Sequence, residues 1–244
     1  AACRAVNDAL AAAIREAPSR FAGFAMVPTA AGAEAAADEL QRAVEALGLK
    51  GAMLHGPSGG RFVDGPEFRP LFARAERLGV PVYLHPAMPD PAVTAAYYAP
   101  YDRSHPAFPR SAWGFGVEVG TQALRLVLGG VFDAHPGLQV ILGHLGEGIP
   151  FLLPRIDESL SRPGNAPTDF AGTFRRNFHV TTSGFLDAAL RCTIEELGIG
   201  RVLFAVDWPY VDNGEGTAWL AALDLPEDDK ARLAGGNAAA LLRL

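Results

Sequence analysis

Three apolar runs of this chain carry, at or near their ends, a side chain able to bind a metal or move a proton. "VPVYLHP" (80–86) carries His85, "QVILGH" (139–144) ends on His144, and "VLFAVDWP" (202–209) carries Asp207. A further run, "GAMLHG" (51–56), carries His55, although "HGPSGG" also reads as a simple turn. A single histidine after an apolar run is ordinarily a hydrogen-bonded structural residue. The repetition of ionisable groups at equivalent places is hard to obtain from packing alone. Neutral imidazole and carboxylate suit Zn²⁺ or Mn²⁺. His85 and Asp207 supply two such ligands, where a catalytic site wants about three and an open position. His144 and Glu147 stand close together in "GHLGEG", a spacing at which a carboxylate can orient an imidazole for acid–base work. Glu147 also reads as an anion favoured in the first turn of a helix starting near Ile149. His135 precedes a strand and His179 opens one, so both read as structural. His105 lies in a long irregular stretch, within reach of a ligand.

These side chains need elements to carry them. The runs 20–28, 51–56, 80–86, 139–144, 178–184 and 202–209 are bounded by Gly or Pro and read as strands buried on both faces, as in a parallel sheet. Helical periods lie between them. Leu40, Val44 and Leu47 recur before Gly48, and Phe68, Leu71, Phe72, Ala75 and Leu78 before Gly79, with each glycine where a helix C-cap belongs. Leu124, Val127, Leu128 and Val131 mark another helix, and Ile194 and Leu197 one that stops at Gly198. Asn237 is placed to cap a last short helix. Near the start, Val6, Leu10, Ala13, Ile14 and Ala17 share one helical face. Repeated β-α units without a break predict a (β/α) barrel, with catalytic groups at the C-terminal ends of its strands. An open doubly wound sheet is less favoured, since no G-x-G-x-x-G follows the first strands. The irregular stretch 87–112 follows His85 directly and can cover whatever His85 binds.

Composition narrows the class. Of 244 residues, 49% are hydrophobic, enough for a sizeable core. A net charge of −6 without any basic run disfavours a nucleic-acid partner. No apolar stretch reaches the roughly 18 residues that span a membrane, and the opening residues lack the pattern of a signal peptide. Two cysteines, Cys3 and Cys192, predict no disulfide framework and a reducing, cytoplasmic setting.

"VPVYLHP", "AWGFGVEVGTQALRLVLGGVFDAHPGLQVILGHLGEGIPF", "NFHVTTSG", "RVLFAVDWPY" and the closing "GNAAALLRL" together resemble the amidohydrolase-related, metal-dependent decarboxylases of hydroxybenzoates. That group includes the γ-resorcylate, 2,3-dihydroxybenzoate and aminocarboxymuconate semialdehyde decarboxylases. The likeness runs in the same order over nearly the whole chain. It implies a (β/α)8 TIM barrel of amidohydrolase type, with residues 1–244 as a single domain. The family's opening strand with its Glu-x-His has no counterpart here, so the first two strands are expected to be absent from this chain. The resemblance implies that His85 is a metal ligand, that Asp207 is both ligand and proton carrier, and that His144 and Glu147 assist proton transfer. Trp113 and Phe115 fall where the family places aromatic residues near the substrate ring, and Arg155 in "PRIDESL" matches an arginine beside the site. Trp113 and Phe115 equally read as core packing under the irregular stretch. His55 is grouped with the substrate-binding residues. One divalent metal, Zn or Mn, a small aromatic carboxylate as substrate and a homodimer or homotetramer are expected. Two alternatives stand beside this: a metal-dependent hydrolase or lactonase using His85, His144 and Asp207 to activate water, and an inactive barrel that binds no metal.

Overall fold

Short apolar runs hemmed by Gly and Pro produce short strands. In the computed structural model, which describes residues 1–101 and 103–244, the strands are β1 (Ala25–Met26), β2 (Ala52–His55), β3 (Val82–His85), β4 (Val140–Leu142), β5 (Phe178–Thr181) and β6 (Val202–Leu203). They follow chain order in a six-stranded sheet, and the pairs β1–β2, β2–β3 and β5–β6 are parallel. Each strand is shorter than the run that carries it; β3 is hemmed by Pro81 and Pro86, which cannot donate to a ladder. β4, β5 and β6 are buried at every residue. β2 and β3 instead alternate buried with more exposed positions, so the expectation of burial on both faces fails for them. The chain packs as two compact units, residues 1–140 and 141–244.

In the first unit, helices α1 (Ala2–Glu16), α2 (Ala33–Glu45) and α3 (Arg69–Leu78) intersperse with the strands, and a helix Gly114–Leu128 follows β3. Leu40, Leu54, Leu71, Phe72, Val82, Leu84 and Leu126 form the core. Gly79 ends α3 in the left-handed conformation, φ 64° and ψ 37°, the C-cap expected of it. The apolar face read for α1 is only partly buried: Val6 is 46% exposed, and the two fully covered residues are Asn7 and Ala11. The reason lies at the edge of β1. Ala25 N donates to Gly51 O on the β2 side, which turns the polar groups of Met26 the other way. There Asn7 Oδ1 accepts from Met26 N and Asn7 Nδ2 donates to Met26 O, each at 2.9 Å. Asn7 Nδ2 also donates to the buried Glu39 at 2.7 Å. The Arg42 guanidinium grips that carboxylate through two hydrogen bonds and holds it below the usual carboxylate range, against the opposing effect of burial.

The irregular stretch after β3 has more structure than its sequence suggests. Pro91–Val93 and Thr94–Tyr98 form helical turns, started by Asp90, whose side chain accepts from Ala92 N at 2.8 Å. Tyr98 is buried against the edge of Phe108, with ring centroids 5.0 Å apart.

In the second unit, Phe170, Phe174 and Phe178 stack beneath β5, the latter two with centroids 4.6 Å apart. Helices Ile149–Leu160 and Asp187–Leu197 flank the unit's strands in sequence. Asn237 does not cap the last helix. It is that helix's first residue, and its amide donates to the carbonyls of Ile199 and Val202 at 2.7 and 2.8 Å. No helix among the described residues is long and apolar enough to cross a membrane.

Candidate active site

Parallel pairing with a fixed register brings two histidines side by side in the first unit. His55 and His85 are register partners at the ends of β2 and β3, with ring centroids 4.6 Å apart and planes tilted by 46°. The Pro86 carbonyl, 2.8 Å from His85 Nδ1, can only accept. Nδ1 is therefore the donor, and in the neutral ring the lone pair falls on Nε2, the arrangement in which a backbone carbonyl orients a metal-binding histidine. Burial first, and the neighbouring His85 second, push His55 below the ordinary histidine range and keep it neutral. Trp113 sits just before the helix Gly114–Leu128 and is 61% exposed, which rules out the core-packing reading for it. Phe115, in the first turn, is half-buried.

The second unit gathers His144, Glu147 and Asp207. His144 does not close a strand. β4 ends at Leu142, and from His144 to Gly148 every residue has positive φ: 46°, 56°, 79°, 54° and 77°. L-residues rarely adopt this left-handed region, at a cost of roughly 1–2 kcal/mol each, and strain of this kind clusters at functional sites. The turn points His144 Nδ1 at Glu147, which accepts at 2.7 Å. Glu147 is only 7% exposed, whereas the His144 ring is 40% exposed. Its hydrogen bond to Glu147 raises the His144 pKa, burial opposes this, and the charges of Glu147 and Asp207 add to the rise. Gly148 forms the N-cap of the helix Ile149–Leu160, so Glu147 lies outside that helix rather than in its first turn.

Asp207 also lies beyond its strand. β6 stops at Leu203 because Phe204 N turns to Leu233 O. Asp207 follows in the left-handed region, φ 75°, in a turn closed by Tyr210 N and Val211 N donating to its carbonyl at 2.9 and 3.2 Å. Its Oδ2 stands 4.0 Å from His144 Nε2. Glu147, His144 and Asp207 thus form a row in which a proton carried by the imidazole faces a carboxylate.

Thr182 and Ser183, which sequence reasoning passed over, follow β5, Ser183 reaching His144 N and Thr182 reaching Ala205. Their only signal was a run of hydroxyl residues, "TTS", after a strand. Arg155 is exposed on the helix Ile149–Leu160. His135 pairs with Glu76 at 3.2 Å, and the His105 ring meets the adjacent Ser104 at 2.9 Å. His179 is buried beside Arg201. None of these three joins either cluster.

Among the described residues, no group of three or more His, Cys, Asp or Glu is arranged to hold a metal. The donors nevertheless fit a divalent ion in kind. His85 offers an imidazole oriented by the Pro86 carbonyl, and Asp207 offers a carboxylate that is 37% exposed.

The model of the family described as Amidohydrolase matches residues 1–244. A γ-resorcylate decarboxylase of Rhodococcus jostii (strain RHA1) is 40% identical over 99% of this chain and 76% of its own. The crystal structure of 2,6-dihydroxybenzoate decarboxylase complexed with 2,6-dihydroxybenzoate superposes with a TM-score of 0.91 at 37% identity, covering 99% of this chain and 76% of that one. The dihydroxybenzoic acid decarboxylase of Polaromonas sp. JS666, with bound manganese and the inhibitor 2-nitroresorcinol, gives 0.92 at 35% identity, covering 99% and 75%.

Proposed function

This chain belongs to the amidohydrolase family, and from that premise we propose that it is a metal-dependent, non-oxidative decarboxylase of a hydroxybenzoate-type aromatic carboxylic acid. Decarboxylase relatives at 35–40% identity and a six-stranded parallel sheet support a carbon–carbon lyase of this family. The observation that carries the mechanism is the Glu147–His144–Asp207 row, with spacings of 2.7 and 4.0 Å.

His85 and Asp207 would hold the metal, which when bound polarises the substrate carboxylate and an ortho phenolic oxygen. Glu147 fixes the imidazole of His144 and favours its protonated form. His144 Nε2–H replenishes the proton on Asp207. Asp207 delivers that proton to the ring carbon bearing the carboxylate, and the carbon–carbon bond then breaks. Its electron pair restores the aromatic ring as CO₂ leaves. Trp113, Phe115, Arg155 and His55 belong to this reading as substrate-side groups, Trp113 offering an exposed aromatic face to a ring. Between Zn and Mn we favour Mn, the ion bound in the Polaromonas relative. A homodimer or homotetramer is part of the same reading, as is a cytoplasmic setting, for which two unpaired cysteines are the support. The hydrolytic alternative recedes, because the relatives at 35–40% identity that support this reading are decarboxylases.

The test is CO₂ release. The purified protein, loaded with Mn²⁺, is incubated with a panel of mono- and dihydroxybenzoates, and CO₂ and the phenol are quantified. Stoichiometric phenol and CO₂ are expected from at least one ortho-hydroxylated acid. Hydrolysis of aryl esters or lactones without any CO₂ would replace this reading with the hydrolase.

A further inference from the structure

β5 ends in a pair of hydroxyls that reach the two neighbours carrying the proton row. The parallel ladder of β5 and β6 runs through Val180↔Val202 and Thr181↔Leu203, and Thr182 N still donates to Leu203 O at 3.0 Å. Beyond that point the main chains stop pairing, and a side chain takes over. Thr182 Oγ1 accepts from Ala205 N at 3.1 Å and donates to Ala205 O at 3.2 Å. A single hydroxyl thereby satisfies both polar groups of the residue two before Asp207. Thr182 is fully buried. The next residue, Ser183, is buried, and its Oγ accepts from His144 N at 3.4 Å, a long hydrogen bond at the first residue of the left-handed turn. All three residues of the row sit in strained backbone, φ 46° at His144, 54° at Glu147 and 75° at Asp207. A conformation of that kind persists only where its surroundings hold it.

We propose that Thr182 and Ser183 are positioning residues: Thr182 sets Asp207 through Ala205, Ser183 sets His144 through its main-chain nitrogen, and together they fix the gap across which the proton passes. The inference rests on the proton row proposed above. It assigns the two hydroxyls separable effects. Thr182 acts on Asp207, which serves both metal and proton. Ser183 acts on His144, which serves the proton alone.

Thr182→Val keeps the shape and removes the hydroxyl, Thr182→Ser restores it, and Ser183→Ala removes the second. Phe174→Leu, in the aromatic stack at the other end of β5, controls for general destabilisation. Mn²⁺ affinity, kcat, KM, Tm and a crystal structure are measured for each. In Thr182→Val, Mn²⁺ affinity and kcat are expected to fall about 10–100-fold, the range usual for residues supporting a metal ligand, with the Asp207 carboxylate displaced. Thr182→Ser should regain most of both. Ser183→Ala should lose kcat with Mn²⁺ affinity unchanged, and Phe174→Leu should lose Tm alone. Should Thr182→Val not fold, Thr182→Ala carries the same comparison. An Asp207 carboxylate within about 0.5 Å of its wild-type place, with Mn²⁺ affinity equal to that of the Phe174→Leu control, would overturn the proposal. If the wild type decarboxylates nothing, the proposed function fails, and the crystallographic displacement of Asp207 still decides whether the hydroxyl positions it.

Discussion

His85 and His144 are both strand-end histidines in the sequence, yet their surroundings prepare them for different work. His85 Nδ1 donates to a carbonyl, which leaves Nε2 as its outward-facing ligand atom, whereas His144 is bound to a carboxylate that favours its charged form. His85→Ala is therefore expected to lose bound Mn²⁺. His144→Ala should keep the metal while turnover falls by about 10²–10⁴-fold, the usual contribution of a positioned acid or base. Metal analysis by mass spectrometry alongside kcat separates the two, and equal metal loss in both variants would make His144 a ligand. At this scale much was legible. An imidazole or carboxylate closing an apolar run is a visible anomaly, and it selected His55, His85, His144 and Asp207. Thr182 and Ser183 were not legible, because a hydroxyl after a strand is common and only the extra bonds to Ala205 and His144 give it meaning.

Among the elements, the left-handed turn His144–Gly148 does most to place the row. Its glycines were plain in "GHLGEG", but the positive φ of Leu145 and Glu147 was not, since nothing in those residue types favours it. Gly146 has φ 79°, and a Cβ there would lie 2.9 Å from Pro150 Cδ and 3.0 Å from Val180 Cγ1, whereas one at Gly148, φ 77°, would meet nothing within 4 Å. Gly148→Ala thus carries only the left-handed penalty of roughly 1–2 kcal/mol. Gly146→Ala is expected to cost about 1–3 kcal/mol more, because the added carbon also meets packed neighbours. Urea unfolding of the two variants measures the difference, and equal losses would remove the packing argument. Asp207 shows the converse limit. Its run reads as strand through Pro209, but the ladder ends at Leu203 once Phe204 bonds to Leu233, a partner 29 residues away that no local pattern announces.

For the whole molecule, alternating strand and helix periods predicted the parallel α/β sheet, and the order of the strands follows the order of the runs. The errors came where a polar side chain takes a tertiary partner, as Asn7 does on β1 and Asn237 on Ile199 and Val202. Stability against pH depends on another such group. Burial first, and Arg201 second, push His179 down to about 4, so the folded protein keeps it neutral where an unfolded chain protonates it near 6.5. Its contribution is complete above about pH 6.5 and is lost as pH falls toward 4, amounting to roughly 3 kcal/mol. His179→Gln removes this proton from the balance. Its stability relative to wild type should improve by about that amount between pH 7 and pH 4, as followed by chemical denaturation, and a pH-independent difference would mean that His179 does not titrate in this way. Asn7 has a different consequence. Strand edges invite other chains because they display free N–H and C=O groups. At Met26 both are already occupied by a primary amide, with the geometry of a one-residue strand. Any backbone that came to pair at Met26 would first have to evict that amide.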